Sequence, residues 1–282
     1  MTRRLSKQEM REERFMSDDF DAPVTYDAAA KDYDRASETF WAFVSKRTVA
    51  RLDLSQGANV LDVPCGPGWS AIAASEAVGS GGRILAVDLA PRMLVLGREK
   101  ARRRNLGNIE FLVGDMTRLA QPPESFDAVV CVLGLFFVGN MAGQIETLWR
   151  LVRPGGLLAV STLGRHFFSP VYDHWKTIVQ RELGRTEIVG PWERTNRLPV
   201  VSELMGRGGA QDALVVEEEN ELPLPSPDIW WDIVMGTGMR KWVTDLGEDG
   251  ARRVRELNLD WVRKHRIRSL KLSAIYAVAR KG

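Results

Sequence analysis

Two glycines and an acid lie close together in a pattern that could bind a charged small molecule. Gly66 and Gly68 follow a short apolar stretch and precede a run of small residues with helical character. Glycine has no Cβ, so the backbone can approach a ligand closely there. The free N–H groups at the start of the helix favour a carboxylate or phosphate. Asp62 lies four residues before Gly66 and suits a ligand that carries an ammonium group.

The same turn also satisfies a dinucleotide-binding pattern. Gly66, Gly68 and Ala71 match G-x-G-x-x-G/A, and Asp88 follows near the distance expected of an acid that binds a ribose. An NAD(P)-dependent oxidoreductase is therefore a real alternative. Asp62 argues against it, because a carboxylate there would lie close to the pyrophosphate of a bound dinucleotide.

Alternating strands and helices must position this turn. Apolar runs and turn residues predict five strands, at 59–63, 83–88, 109–113, 126–133 and 157–162. The fourth is continuously apolar, as expected of a central parallel strand, and Pro154-Gly155-Gly156 is expected to end the helix before the fifth. The alternation predicts right-handed crossovers and an α/β, doubly wound, mostly parallel sheet. Ligands bind such sheets at the carboxyl ends of the strands.

The C-terminal part of the chain is expected to complete the sheet. Strand patterns at 213–222 and 270–279 bring the number of strands to seven, with helical patterns at 227–246 and 250–266 between them. Two closing strands of this kind are consistent with an antiparallel edge on a parallel sheet.

Segments outside the five central strands are expected to cover the site. Residues 1–20 are highly charged and are predicted to form a flexible arm, followed by a single domain at 21–282. Apolar spacing predicts one or two helices in an N-terminal cover at 21–54. Residues 165–212 and 226–246 are expected to form a cap over the substrate.

Several motifs recur in a fixed order along the chain. They are LDVPCGPG at 61–68, VDL at 87–89, GDM at 114–116, FDAVV at 126–130 and LVRPGG at 151–156. Together they resemble the class I S-adenosylmethionine-dependent methyltransferases, and more loosely the branch that contains ubiquinone/menaquinone C-methyltransferases and their small-molecule relatives. The resemblance covers residues 26–164 and continues weakly to the C-terminus. It implies a Rossmann-like methyltransferase fold with a helical cap, S-adenosylmethionine as cofactor, and methyl transfer to a small molecule.

The resemblance also implies roles for residues at the methionine and ribose ends of the cofactor. Asp62 would lie near the methionine ammonium, directly or through water, with Gly66 and Gly68 beside it. Asp88 would accept hydrogen bonds from both ribose hydroxyls. The backbone near Val132 would face the methionine.

Further residues are implied at the adenine and above the cofactor. Asp115 would accept a hydrogen bond from the adenine amino group, and Met116 would supply a backbone N–H. Leu89 and Met93 would sandwich the base, and Tyr33 would belong to the segment that folds over the cofactor. Taken singly, Asp88 could instead cap the next helix and Asp115 could be a surface turn acid.

Methyl transfer from a sulfonium is an in-line displacement, so alignment in a water-poor pocket can supply most of the catalysis. A general base is needed only where the acceptor must lose a proton. His166, which follows the fifth predicted strand, is the candidate base, and a hydrogen-bonded loop histidine is the alternative reading of it.

Aromatic residues are candidates for the acceptor site. Phe136 and Phe137 follow the fourth strand, and Trp230 and Trp231 form a pair in a segment flanked by proline and glycine. Such aromatics either pack in a core or line a flat apolar pocket, which would suit a small apolar or aromatic acceptor.

Composition excludes several other classes of protein. The 282 residues carry 39 Lys+Arg against 37 Asp+Glu, and this balance gives no support to a nucleic-acid partner. Two isolated cysteines indicate neither a disulfide framework nor a metal site and favour a cytoplasmic setting. Apolar runs are too short for stable membrane insertion. A homodimer is possible, and a cofactor-binding protein without turnover is a further alternative.

Overall fold

The computed structural model describes residues 21–282, and the predicted arm at 1–20 lies outside the described residues. Seven strands form one sheet in the order β3-β2-β1-β4-β5-β7-β6. The strands are β1 (Asn59–Asp62), β2 (Arg83–Asp88), β3 (Ile109–Val113), β4 (Phe126–Val132), β5 (Val152–Leu163), β6 (Leu214–Pro223) and β7 (Ser269–Arg280). The doubly wound, mostly parallel seven-stranded sheet predicted from the sequence is confirmed.

Helices cover both faces of the sheet. They are α1 (Ala22–Ala50), α2 (Trp69–Val78), α3 (Pro91–Arg103), α4 (Met141–Leu151), α5 (Val171–Glu182), α6 (Leu198–Arg207), α7 (Pro227–Gly236), α8 (Arg240–Thr244) and α9 (Gly247–Lys264). Short 3₁₀ turns at Met116–Arg118, Leu135–Phe137 and Pro191–Thr195 complete the regular structure. Among these helices of the described range, none is both long and apolar enough to cross a bilayer.

The core lies on both sides of the central strands. Along β4, Ala128 and Val130 belong to one apolar cluster, whereas Val129 and Cys131 belong to another. Successive residues of a strand face opposite sides of a sheet, so these two clusters are the layers between the sheet and its two sets of helices. This arrangement explains why β4 is continuously apolar.

The order of the strands reverses next to β1. Leu61 of β1 pairs in parallel with Leu85 of β2 on one side and with Val129 of β4 on the other. The crossovers therefore leave β1 in opposite directions, and a crevice opens at the carboxyl ends of these strands. The acids and glycines singled out from the sequence lie at this edge.

The N-terminal cover is a single helix, α1, of 29 residues. The Asp21 side chain accepts a hydrogen bond from the backbone N–H of Val24 at 3.1 Å, and Pro23 lies in the first turn, where its missing N–H has no cost. The helix therefore begins before the residues in which the sequence pattern first shows helical spacing.

Strand β7 is antiparallel to both of its neighbours, β5 and β6, and β6 is the edge strand, so an antiparallel pair closes the sheet as expected. One expectation for the C-terminal part needs correction. The helical pattern at 227–246 is two helices, because Thr237 is extended between them. Gly236 precedes this break, where a Cβ would lie 2.6 Å from the Cα of Tyr33.

Strand β5 also begins earlier than the sequence indicates. Pro154-Gly155-Gly156 does follow a helix that ends at Leu151, as expected, but these residues already form part of the strand. The backbone N–H of Gly155 donates to Lys281 at 2.7 Å, and Lys281 donates to Gly156 at 2.9 Å. Pairing with the distant C-terminal residues extends the strand, and local pattern does not reveal such pairing.

Candidate functional site

The two glycines in the turn after β1 have different structural roles. Gly66 (φ +51°) and Gly68 (φ +83°) both adopt left-handed backbone conformations. A Cβ on Gly68 would lie 3.0 Å from the ring of Phe111, so both packing and backbone conformation require glycine at this position. A Cβ on Gly66 would meet open space, and Gly66 lines the cavity described below.

Asp88 ends β2 and fixes this turn. One carboxylate oxygen, Oδ2, accepts the backbone N–H of Gly66 at 2.7 Å, and Oδ1 accepts that of Ala90 at 2.9 Å. Burial raises the pKa of the Asp88 carboxyl, while these hydrogen bonds oppose the shift. A carboxylate has about four lone-pair sites, so Asp88 can still accept a hydrogen bond from a ligand hydroxyl.

Asp62 lies beneath the turn and is fully buried. Its Oδ2 accepts the hydroxyl of Ser70 at 2.7 Å, and its Oδ1 has no hydrogen-bond partner among the described residues. Burial raises the pKa of this carboxyl from its ordinary value of 3.8 to about 7, and the Ser70 hydrogen bond limits the rise. A buried carboxylate with a free oxygen is costly unless a donor or cation compensates it. Asp62 therefore has the chemistry of a site for a positively charged group.

A cavity of about 1220 Å³, counted out to its open mouth, begins at these strand ends. Its polar half contains Cys65, Gly66, Ser70, Asp88 and Gly114. Leu89, Met93, Met116 and Val132 line the same half.

The aromatic side chains of the lining, called the aromatic half below, come from three parts of the chain. The β4 wall consists of Phe136 and Phe137, which follow β4. The β5 wall consists of Phe167, Phe168 and Trp192, which follow β5. The roof consists of three residues of α1, namely Tyr26, Tyr33 and Trp41.

The roof makes aromatic contact with each of the two walls. Tyr26 of the roof contacts Phe137 of the β4 wall with ring centroids 5.5 Å apart, and Trp41 contacts Phe168 of the β5 wall at 5.6 Å. Burial raises the pKa of the phenols of both Tyr26 and Tyr33, so both stay protonated near neutral pH and can donate hydrogen bonds.

Acidic residues of α1 hold the roof in place. Asp27 accepts the backbone N–H of Arg92 at 2.8 Å, at the start of α3. Asp32 accepts a hydrogen bond from Arg240 of α8 at 2.8 Å, and Asp34 forms an ion pair with Lys100 of α3. The roof is thus tied both to the helix beyond Asp88 and to the C-terminal helices.

Most of the residues expected at the site line this cavity. They are Tyr33, Gly66, Asp88, Leu89, Met93, Met116, Val132, Phe136 and Phe137. Asp62 lies behind Ser70, which itself lines the cavity, and Gly68 lies in the turn behind Gly66. The structure therefore brings together residues that are separated by more than one hundred positions in the sequence.

Asp115 does not line the cavity. Its Oδ1 accepts the backbone N–H of Thr117 at 2.8 Å and the Thr117 hydroxyl at 2.7 Å, so it caps its own 3₁₀ turn. These contacts agree with the alternative interpretation, in which Asp115 is an acid of a surface turn. Its hydrogen bond to an adenine stays a prediction.

His166 is placed away from the cavity, which corrects the expectation of a general base there. Its Nδ1 lies 2.6 Å from Oε1 of Glu219 at the surface, whereas the next residue, Phe167, turns into the cavity. The other two histidines, His174 and His265, stack on Trp261 elsewhere. All three histidines of the sequence therefore lie outside the cavity.

Trp230 and Trp231 are also outside the cavity, so their assignment to the acceptor site is corrected. Trp230 is fully buried behind Phe168, and its indole N–H donates to the Oδ1 of Asn258. Trp231 is half-buried and packs against the same core. The apolar face of α7 is a core face, and the acceptor half is reached instead by Thr237 and Met239, which follow α7.

Some of the additional cavity residues have recognisable signals in the sequence. Phe167 and Phe168 follow β5 just as Phe136 and Phe137 follow β4, and the carboxyl ends of both strands meet at one edge. Trp41 belongs to the helical pattern of the expected cover. Trp192 gave no such signal, because its segment between α5 and α6 has no periodic pattern.

Comparisons with known proteins agree with this geometry. Residues 60–156 match a family model described as a methyltransferase domain. The demethylmenaquinone methyltransferase of Listeria welshimeri is 35% identical over 114 residues, which are 40% of this chain and 48% of that protein. The demethylmenaquinone methyltransferase of Geobacillus kaustophilus is 36% identical over 107 residues. The chain thus spans about half the length of the curated relatives it matches.

Solved structures share the fold over most of the chain. A SAM-dependent methyltransferase from Aquifex aeolicus has a TM-score of 0.51 at 16% identity, covering 89% of this chain and 98% of that one. The [4+2]-cyclase SpnF has a TM-score of 0.56 at 16% identity, covering 92% and 95%. At this identity the likeness concerns the fold.

Proposed function

We propose that this chain is a class I S-adenosylmethionine-dependent methyltransferase and that it transfers a methyl group from S-adenosylmethionine to a small apolar or aromatic molecule. One observation carries the proposal: a single cavity joins the acid-bearing carboxyl ends of β1 and β2 to a part lined by aromatic side chains. The first half fits a polar, cationic cofactor, and the second fits an apolar acceptor.

The residues present fit this cofactor. An ammonium group would compensate the buried carboxylate of Asp62, which is linked to the cavity by its hydrogen bond with Ser70. Asp88 would accept the ribose hydroxyls with its remaining lone pairs. The open space at Gly66 would admit the methionine end beside the backbone of Val132, and Leu89, Met93 and Met116 would contact the base.

The chain itself supplies alignment and the exclusion of water. S-adenosylmethionine supplies an activated methyl group on a positively charged sulfur. The aromatic walls hold an acceptor against the polar half and keep water out, which favours an in-line displacement. Aromatic faces also stabilise nearby positive charge. Since all three histidines lie outside the cavity, we propose an acceptor whose nucleophile needs no histidine base.

An apolar or aromatic acceptor has two supports. The roof and both walls are aromatic, and Asp88 is the one carboxylate side chain among the described cavity residues. Relatives at 35–36% identity are named demethylmenaquinone methyltransferases, so their acceptor is a demethylmenaquinone. We propose a molecule of similar character for this chain, acting in the cytoplasm, without assigning that compound.

Two alternative functions differ in the support that they receive. The comparisons give no support to the oxidoreductase alternative, and Asp62 lies beneath the turn where a pyrophosphate would pass. A cofactor-binding protein without methyl transfer is the second alternative, because a fold alone does not determine an activity.

Calorimetry with S-adenosylhomocysteine and NADH separates the cofactor classes. We expect the sulfur nucleoside to bind and NADH not to bind; the reverse result contradicts the proposal. Incubation with methyl-labelled S-adenosylmethionine and an apolar metabolite extract then separates enzyme from binder, because only methyl transfer labels the extract. Asp88→Asn serves as the inactive variant and Asp212→Asn, at an exposed position, as its control.

A further inference from the structure

Arg194 joins two parts of the cavity that are far apart in the sequence. Its Nη1 donates to the carbonyl oxygens of Phe136 at 3.1 Å and Val138 at 3.0 Å, and its Nη2 donates to that of Gly139 at 3.2 Å. Phe136 belongs to the β4 wall, whereas Arg194 lies two residues after Trp192 of the β5 wall. One side chain thus bridges the segments that carry the two walls.

The residues beside Arg194 fasten the same segment to other elements. The Glu193 carboxylate accepts hydrogen bonds from Lys176 at 2.9 Å and from the hydroxyl of Tyr172 at 3.1 Å, both on α5. The carbonyl oxygen of Thr195 accepts the hydroxyl of Thr162, on β5, at 3.0 Å. The Pro191–Thr195 turn is therefore held to α5 and β5 independently, and Arg194 adds the connection to the β4 side.

We propose that Arg194 is a positioning residue that sets the separation of the β4 and β5 walls and thereby selects acceptors by width. The proposal rests on the proposed function, which assigns the aromatic half to the acceptor. A guanidinium holds several N–H groups in one rigid plane, so it fixes the relative positions of three carbonyl oxygens. A lysine ammonium is a compact donor on a flexible stem and cannot reproduce this geometry.

The experiment measures selectivity by width with two uncharged fluorescent probes. N-phenyl-1-naphthylamine and the wider, four-ring pyrene are titrated into the full chain, with and without S-adenosylhomocysteine, and the ratio of their two Kd values is taken. Arg194→Ala and Arg194→Lys are compared with Arg197→Lys, whose arginine is exposed.

We expect Arg194→Ala to change the ratio of Kd values by about threefold or more, as the loss of charge-assisted hydrogen bonds implies. Arg194→Lys should give an intermediate ratio, and Arg197→Lys should match the wild type. Affinity for S-adenosylhomocysteine should stay within about twofold in all variants, because Arg194 does not touch the polar half. Added guanidinium ion, at concentrations too low to unfold the chain, should return the Kd ratio of Arg194→Ala towards the wild-type value. The same addition should leave the Kd ratio of the wild type unchanged.

Three results would overturn the inference. One is an unchanged ratio in Arg194→Ala. Another is a parallel loss of affinity for both probes and for S-adenosylhomocysteine, which would indicate a merely structural role. The third is a wild-type chain that binds neither probe. Failure of S-adenosylhomocysteine to bind the wild type would instead count against the proposed function, while the probe ratios measured without it would still decide the role of Arg194.

Discussion

The carboxylate of Asp88 accepts the backbone N–H of Gly66 at 2.7 Å, so the acid that ends β2 fixes the glycine turn that follows β1. The two residues are neighbours because β1 and β2 pair in parallel and end at the same edge. One carboxylate therefore shapes the turn and presents its remaining lone pairs to the cavity.

Asp88→Asn tests this double role. The amide keeps one acceptor oxygen but replaces the other with a donor that faces the Gly66 or Ala90 N–H. Because charge-assisted hydrogen bonds contribute about 1.5–3 kcal/mol each, we expect affinity for S-adenosylhomocysteine to fall by about 10- to 100-fold. Calorimetry on Asp88→Asn and Asp212→Asn measures the difference. Equal affinities in the two variants would show that Asp88 does not contact the cofactor.

Asp62 predicts a pH dependence of cofactor binding. With a pKa of about 7, its carboxyl is largely protonated below that pH in the free protein. Pairing with an ammonium group requires the carboxylate, so affinity for S-adenosylhomocysteine should rise as the pH increases through 7, with release of a proton. Titrations in buffers of different ionisation enthalpy count that proton. Binding without proton release, or equally pH-dependent binding in Asp62→Asn, would contradict the assignment.

The same carboxyl predicts a pH dependence of stability in the ligand-free protein. Its pKa is raised on folding, so the folded state binds the proton more tightly than the unfolded state. The stability associated with protonation is complete below pH 3.8 and is lost as the pH rises to about 7. Denaturant unfolding should show a smaller loss over this interval in Asp62→Asn. A variant whose stability falls as steeply as that of the wild type would exclude Asp62 as the source.

The two glycines of the turn should respond differently to alanine. Gly68→Ala should destabilise the fold by at least the roughly 1–2 kcal/mol cost of a left-handed alanine, because its Cβ also meets Phe111. Gly66→Ala meets open space, so its cost should be the conformational one alone, and its Cβ should weaken S-adenosylhomocysteine binding. Unfolding midpoints and calorimetry distinguish the two effects. Weaker binding in Gly68→Ala alone would reverse the assignment.

Trp230 should affect stability without affecting binding. Trp230→Phe leaves the buried Oδ1 of Asn258 without its indole donor and should cost about 1–3 kcal/mol of unfolding free energy. Trp231→Phe, at the adjacent half-buried position, should cost less. Affinity for S-adenosylhomocysteine and for N-phenyl-1-naphthylamine should stay at the wild-type value in both. A selective loss of probe binding in Trp230→Phe would instead indicate that Trp230 belongs to the acceptor site.

The sequence predicts the central part of the fold well, for physical reasons. The strands β1 to β4 are short apolar runs separated by turn residues, so local pattern suffices to find them and their order along the chain. The position of β7 between β5 and β6 depends on long-range antiparallel pairing, such as that of Ala277 with Val160 and Val215. The local sequence pattern of a strand does not indicate which strands lie beside it in the sheet.

The polar half of the site was predictable, and the aromatic half only partly so. Asp62 and Asp88 are recognisable because each acid ends an apolar strand. Trp230 and Trp231 are adjacent on helix α7. Which of their side chains faces the core depends on the elements that pack against this helix, and these elements are distant in the sequence. Trp192 and Arg194 lie in a segment without periodicity, whose place is decided by contacts with distant elements.

A crystal structure of the chain with S-adenosylhomocysteine at pH 8 tests the central claim most directly. The account predicts the amino group beside Asp62 and Ser70, both ribose hydroxyls on the carboxylate of Asp88, and an empty aromatic half between the β4 and β5 walls. A nucleoside bound with its ribose away from Asp88, or a nicotinamide dinucleotide in its place under competition, would contradict it.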